Sequence, residues 1–246
     1  MKKNVIFLTN LRYDGYSNEP SVNTIKYWCE KHNYIFFHEP DNSSNPWENL
    51  FNVFNVLNEK NIEYDKIFIL DSLSMVKWDC PDIFKQITDD RITAWREMGN
   101  LGLINNNIQE CKSYFPNINI NIFKYVNYGS LIVNKKHEKF FDYIKEYYYA
   151  NKEKINKLNN NISFQTILNY LLQSKNIRTN TDISREFNLN HMMRYDWFSH
   201  NWQDGVDKTN FFIKYAYIWR FDDFNINQYK EISSQIWEGI KNKYTG

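Results

Sequence analysis

The sequence predicts an α/β fold in which a mostly parallel central sheet is flanked by helices. Three compact apolar runs, at residues 4–8, 33–37 and 66–70, have the length and the β-branched or aromatic content of buried strands. Between them, residues 22–32 carry Val22, Ile25, Trp28 and Cys29 at helical spacing, and residues 47–60 repeat the pattern with Leu50, Phe51, Phe54 and Leu57. Strands alternating with helices over the first part of a chain pair in parallel through right-handed crossovers.

The later elements follow in order. Residues 83–84 begin a short helix and 92–95 read as another strand. Ile118, Ile120 and Ile122 alternate with Asn117, Asn119 and Asn121, the pattern of a half-buried edge strand or of a loop with a strand-like repeat. Residues 130–133 form an apolar strand preceded by Asn127, Tyr128 and Gly129. Residues 137–154 and 163–173 are amphipathic helices. Residues 179–223 are polar and aromatic, with a late strand at 215–219, and residues 226–243 form a closing helix. With no repeat of fixed period and no Pro/Gly/Ser-rich linker, residues 1–246 are expected to form one domain.

Composition removes several classes of function. Thirty Lys and Arg balance 29 Asp and Glu, so the net charge of +1 creates no general field for a polyanion, and nucleic-acid binding would need a local patch. The three cysteines, Cys29, Cys80 and Cys111, lie far apart and give neither a disulfide framework nor a zinc spacing. The apolar run after the first residues is too short for a signal peptide, and no stretch is long enough for a membrane span. A cytoplasmic protein is expected. Aromatics at 18% either replace aliphatic side chains in the core or line a groove in which sugars or bases stack.

Ligands of open α/β sheets bind outside the carboxyl ends of the strands. Two candidate segments lie there: the polar loop after the first strand, with Thr9, Asn10 and Arg12, and Asp71 with Ser72 after the third. A carboxylate at the end of a buried strand can turn into the crevice and hold a divalent metal on a diphosphate, or it can cap the turn that follows. Asn127 offers a donor and an acceptor to sugar hydroxyls, and Gly129 clears space for a close backbone approach; a plain turn is the competing reading. Tyr195, Trp197, Phe198 and Trp202 form an aromatic cluster that either stacks a ligand or covers the sheet edge.

Four segments in shared order carry a family resemblance. The apolar strand ending in Asp71-Ser72-Leu73-Ser74-Met75-Val76, followed by Trp78-Asp79-Cys80-Pro81, resembles the Asp-x-Asp region of nucleotide-diphospho-sugar transferases with the GT-A fold. Asn127-Tyr128-Gly129 and the strand to Asn134 are similar to the family element that faces the donor sugar. Phe164-Gln165-Thr166-Ile167-Leu168-Asn169 resembles its Asp-Gln-x-x-Leu-Asn helix start, and the segment from Lys214 to Phe221 its late strand ending in His-Phe. The short, Asn-, Lys- and Ile-rich chain is also similar in style to stand-alone glycosyltransferases of phages and large-genome viruses, which would place it in the host cytoplasm.

The resemblance implies a glycosyltransferase that moves a sugar from a nucleotide-diphosphate donor to a hydroxyl on a glycan, a protein or a modified nucleic-acid base. Residues 1–135 would bind the nucleotide sugar and residues 136–246 would supply the helical, acceptor-side part. Thr9, Asn10, Arg12, Asp71, Ser72, Asn127, Gly129 and Arg220 are the expected donor-binding residues. Gln165 is implied near the reacting face of the sugar if the enzyme is retaining. If it is inverting, a general base comes from Asp196, Asp204 or Asp207 in the polar tail. Departures from the family pattern matter here. Its second Asp falls at Leu73, its helix-start Asp at Phe164 and its metal-binding His at Arg220, and an apolar side chain cannot coordinate a hard cation. A divalent metal (Mn or Mg) at Asp71 is therefore in question, and Arg220, with Arg12 and Arg96 as further candidates, offers a fixed positive charge in its place. Two alternatives remain open: a catalytically inactive nucleotide- or sugar-binding module, and a viral DNA-base glycosyltransferase.

Overall fold

The computed structural model describes residues 2–13, 17–38, 45–97, 100–158, 161–190, 211–222 and 224–245. Its strands and helices run β1 (Lys3–Thr9), α1 (Glu19–His32), β2 (Ile35–His38), α2 (Pro46–Glu59), β3 (Tyr64–Asp71), β4 (Ser74–Val76), β5 (Ile92–Arg96), α3 (Leu101–Cys111), β6 (Val126–Asn134), α4 (Glu138–Leu158), α5 (Asn161–Ser174), β7 (Thr179–Asn180), β8 (Ile218–Arg220) and α6 (Ile226–Ile240). The abundance of asparagine has a structural use. Asn18, Asn45, Asn100 and Asn225 each cap a helix by accepting from backbone N–H groups of its first turn, and Asn225 forms a capping box with Gln228. Asn33 ends α1 in the left-handed region at φ 57°.

The main sheet has the order β2-β1-β3-β6-β5-β7. β1 pairs in parallel with β2 and β3, and β7 pairs in parallel with β5, whereas β6 runs antiparallel to both β3 and β5. The predicted mostly parallel sheet flanked by helices is thus present, with one inverted strand. The sequence does not announce that inversion, because every residue of β6 is buried and its apolar run reads like that of a parallel strand.

Alternation along the strands feeds two apolar layers. Val5, Phe7, Ile67, Ile69, Leu131 and Val133 face α2, α4 and α5, while Ile6, Leu8, Phe68, Leu70 and Ile132 pack with α1 through Ile25, Trp28 and Cys29. A third cluster, built from Leu73, Met75, Trp219, Phe221, Tyr229 and Ile236, lies under α6 and holds the β4–β8 ribbon. In that ribbon Ser74 pairs with Arg220. This cross-connection carries a residue from the end of the chain to the carboxyl edge of β3.

Some elements differ from the sequence reading. The isoleucines at 118, 120 and 122 lie outside the strands, in a segment ending in a 3-10 turn at Ile122–Lys124 capped by Asn121, and they pack half-buried on the first core cluster. The late strand is short: Tyr215, Ala216 and Tyr217 precede β8. Helix α3 was not read from the sequence, although Ile104, Ile108 and Cys111 stand at helical spacing on its buried face. Among the described residues, no helix is long and apolar enough to cross a membrane.

Candidate active site

The loop after β1 and the end of β3 meet, as their adjacent positions require. Thr9 pairs with Asp71, the Ser72 amide donates to the Thr9 carbonyl at 2.9 Å, and the Leu11 amide donates to Asp71 Oδ1 at 3.4 Å. Ser72 Oγ donates to Asn10 Oδ1, and Asn49 holds the Asn10 carbonyl at 2.9 Å. The carboxyl end of β1 is thereby fixed to that of β3.

Arg220 enters this junction from β8. Its Nη2 lies 3.5 Å from Asp71 Oδ2, its Nη1 donates to Asn127 Oδ1, and the same Nη1 lies 3.5 Å from Asn188 Oδ1. Arg220 is 1% exposed and Asp71 fully buried, so this is an interior ion pair. Gly129 makes room for it: a Cβ there would stand 1.8 Å from Arg220 Nη2 and 2.1 Å from Cζ. The sequence suggested that Gly129 clears space for a ligand. The close approach seen is that of the guanidinium itself, because Ser74–Arg220 pairing sets the side chain over the β6 backbone.

Burial lifts the Asp71 carboxyl above its ordinary range, against the opposing pull of Arg220, Arg12 and the Leu11 amide. Arg12, itself nearly buried, donates to the Asp222 carbonyl, so two guanidinium groups face one carboxylate. Tyr128 is pushed well above the usual phenol range by burial and by the charge of Asp71.

A second carboxylate completes the cluster. Glu97, immediately after β5, accepts from Asn127 Nδ2 at 2.8 Å and from Gln165 Nε2 at 3.1 Å. Gln165 Oε1 in turn lies 3.4 Å from the Tyr128 amide, and Asn127 Oδ1 accepts from the Gly129 amide at 3.0 Å. Asp71, Arg220, Asn127, Glu97 and Gln165 therefore form one continuous polar network across the ends of β3, β6 and β5.

No family model matches the sequence, and no curated protein matches it. Solved structures do. A glycosyltransferase involved in the glycosylation of the major capsid of PBCV-1 superposes with a TM-score of 0.59 at 12% identity, over 95% of this chain and 99% of that one. The chain shares the fold of that glycosyltransferase. The expected α/β architecture, a mostly parallel sheet flanked by helices, stands with it. The galactosyltransferase LgtC, solved with donor and acceptor sugar analogues, superposes with a TM-score of 0.45 at 14% identity, over 98% of this chain and 99% of that one. The glycosyltransferase GlyE of Streptococcus pneumoniae TIGR4 gives 0.44 at 13% identity over 99% of this chain, which spans 64% of that one. The assignment of fold rests on the first.

On this fold, the structure brings together Thr9, Asn10, Arg12, Asp71, Ser72, Asn127, Gly129, Gln165 and Arg220. Asp196, Asp204 and Asp207 lie outside the described residues, as do the tail aromatics Tyr195, Trp197, Phe198 and Trp202. Arg96 is exposed and has no contact with Asp71 or Arg220. Glu97 and Asn188 were missed in the sequence. Glu97 carried the same signal as Asp71, a carboxylate just past a strand on the same sheet edge; Asn188 lies in a segment with no periodic pattern.

Among the described residues, those at the family's metal positions do not fit a divalent metal. Leu73 and Phe164 are core side chains, the latter edge-on to Trp47 at 4.6 Å and Tyr128 at 5.0 Å. Among the described residues no group of three or more His, Cys, Asp or Glu could hold an ion. Of the family's expected metal positions only Asp71 keeps a carboxylate, and it already faces Arg220 and Arg12, whose charges oppose a cation there.

Proposed function

We propose that this protein transfers a sugar from a nucleotide-diphosphate donor to an acceptor hydroxyl, with arginine charge in the place of a metal. The observation that carries this reading is the Arg220–Asp71–Asn127 junction, set at the carboxyl ends of β1 and β3 in a glycosyltransferase fold. Breaking the bond between the anomeric carbon and the diphosphate leaves negative charge on the leaving group. A guanidinium in a low-dielectric site stabilises that charge without a proton transfer, and its planar fork suits phosphate oxygens. Diphosphate entering beside Arg12 exchanges the 3.5 Å contact between Arg220 and Asp71 for shorter charge-assisted ones. Asp71 holds Arg220 in place before the donor arrives.

The acceptor oxygen then bonds to the anomeric carbon and its proton passes to a base. Glu97 is the described carboxylate for that role, fixed by Asn127 and Gln165. Asp196 and Asp204 are further candidates.

Thermal unfolding with uridine, guanosine, cytidine and thymidine diphosphates, in chelator, tests the reading. A ligand at a hundred times its Kd stabilises by about 2.7 kcal/mol, which raises Tm by several degrees. No shift with any of the four nucleotides sinks the proposal. A second reading, a module that binds a nucleotide sugar without catalysis, is favoured by the engagement of Asn127 and Gln165 within the protein. Release of nucleoside diphosphate from a nucleotide-sugar panel separates the two.

A further inference from the structure

A second polar basin lies along the outer edge of the sheet, between β7, the carboxyl end of α5 and the segment leading into β6. Its volume is 670 Å³, within the range of small-ligand sites. Arg91, Arg96, Lys124 and Arg178 line it, and no acidic residue does among the described ones. Such a concentration stands out in a chain whose net charge is only +1. Arg91 is held by Asp89 at 2.6 Å, whereas Arg96, Lys124 and Arg178 form no salt bridge among the described residues.

The neutral groups of the basin are biased the same way. Asn119 Oδ1 already accepts from Lys112 Nζ at 2.9 Å, and Asn121 Oδ1 accepts from the Phe123 amide at 2.9 Å. Both are left with their Nδ2 donors. Gln173 spends both ends of its amide on the Asn121 backbone. The basin's charged groups are all cationic donors, which selects a ligand rich in oxygen acceptors and negatively charged. Phe123 lies at its rim, 72% exposed, as a flat apolar face. One such ring suits the C–H face of a sugar, whereas single-stranded nucleic acid is held by a succession of stacking rings.

We propose that this basin binds an acidic oligosaccharide, a sugar chain bearing carboxylate groups, with Arg96, Lys124 and Arg178 meeting the charges and Phe123 supporting a sugar ring. The site is separate from the Arg220 junction and does not depend on transfer activity. Calorimetric titration with tetragalacturonate tests it, with neutral maltotetraose and a short oligothymidylate as comparisons. The whole protein binds tetragalacturonate, the affinity falls with added salt, and it drops roughly tenfold or more in Lys124→Glu/Arg178→Glu. Both substitutions are at exposed positions, and Tm and nucleoside diphosphate binding stay as in the wild type. Absence of binding at millimolar tetragalacturonate, equal affinity for maltotetraose, tighter binding of oligothymidylate, or an unchanged affinity in the double variant each overturns the proposal.

Discussion

Removing Arg220 should cost far more than losing a surface ion pair, and removing its partner as well should return much of that cost. The pair is 1% and 0% exposed with 3.5 Å between Nη2 and Oδ2. At an effective dielectric of about 20, two unit charges at that separation attract by roughly 5 kcal/mol, set against the cost of desolvating both. Arg220→Met leaves the Asp71 charge buried and opposed only by Arg12 and the Leu11 amide, so a loss of about 3–5 kcal/mol is expected. Asp71→Asn/Arg220→Met removes both charges and should be more stable than Arg220→Met alone. Urea unfolding followed by tryptophan fluorescence gives the four free energies of the cycle, provided the m-value stays constant. A loss below about 1 kcal/mol in Arg220→Met, the range of exposed pairs, or strict additivity in the double variant would refute the reasoning.

Other perturbations follow from the same geometry. Gly129→Ala puts a methyl group where Arg220 Nη2 lies, so it should cost about 1–3 kcal/mol and abolish the Tm shift with nucleoside diphosphate; an unchanged shift would mean that Arg220 does not meet the donor. Because burial raises the Asp71 pKa on folding, its contribution is full below the unfolded value and is lost as pH rises through the folded one. The stability of wild type relative to Asp71→Asn should therefore fall from acid to neutral pH, and a rise over that window in paired unfolding curves contradicts the assignment. Glu97→Gln should lower kcat roughly hundredfold while sparing donor binding, as read from steady-state turnover and nucleoside diphosphate titration, if Glu97 takes the acceptor proton. Asn225→Ala, which breaks the α6 capping box, should cost about 1 kcal/mol in chemical denaturation without changing nucleotide binding.

The first half of the sheet was legible because its signals are local. Compact apolar runs at β1 and β3 and helical spacing in α1 and α2 all point the same way within a few residues. The inversion of β6 was hidden, since a strand buried on both faces has no alternation to reveal its direction. At the site, Asp71, Asn127 and Gly129 were found from strand ends and turn chemistry, yet the partner that explains them sits 149 positions beyond Asp71. Only the register of the β4–β8 ribbon places Arg220 over Gly129. Ser130 and Asn188 show the same limit: their 3.1 Å contact links a core strand to an irregular segment, and nothing local in either stretch marks it.

The most direct measurement is release of nucleoside diphosphate from a panel of nucleotide sugars, assayed with wild type and Arg220→Lys in excess chelator and again in manganese. Turnover in chelator, unchanged by manganese and reduced at least tenfold by a lysine that cannot fork onto phosphate, is the predicted result. Release that occurs only with manganese, or that survives Arg220→Lys intact, would contradict an arginine-based donor site.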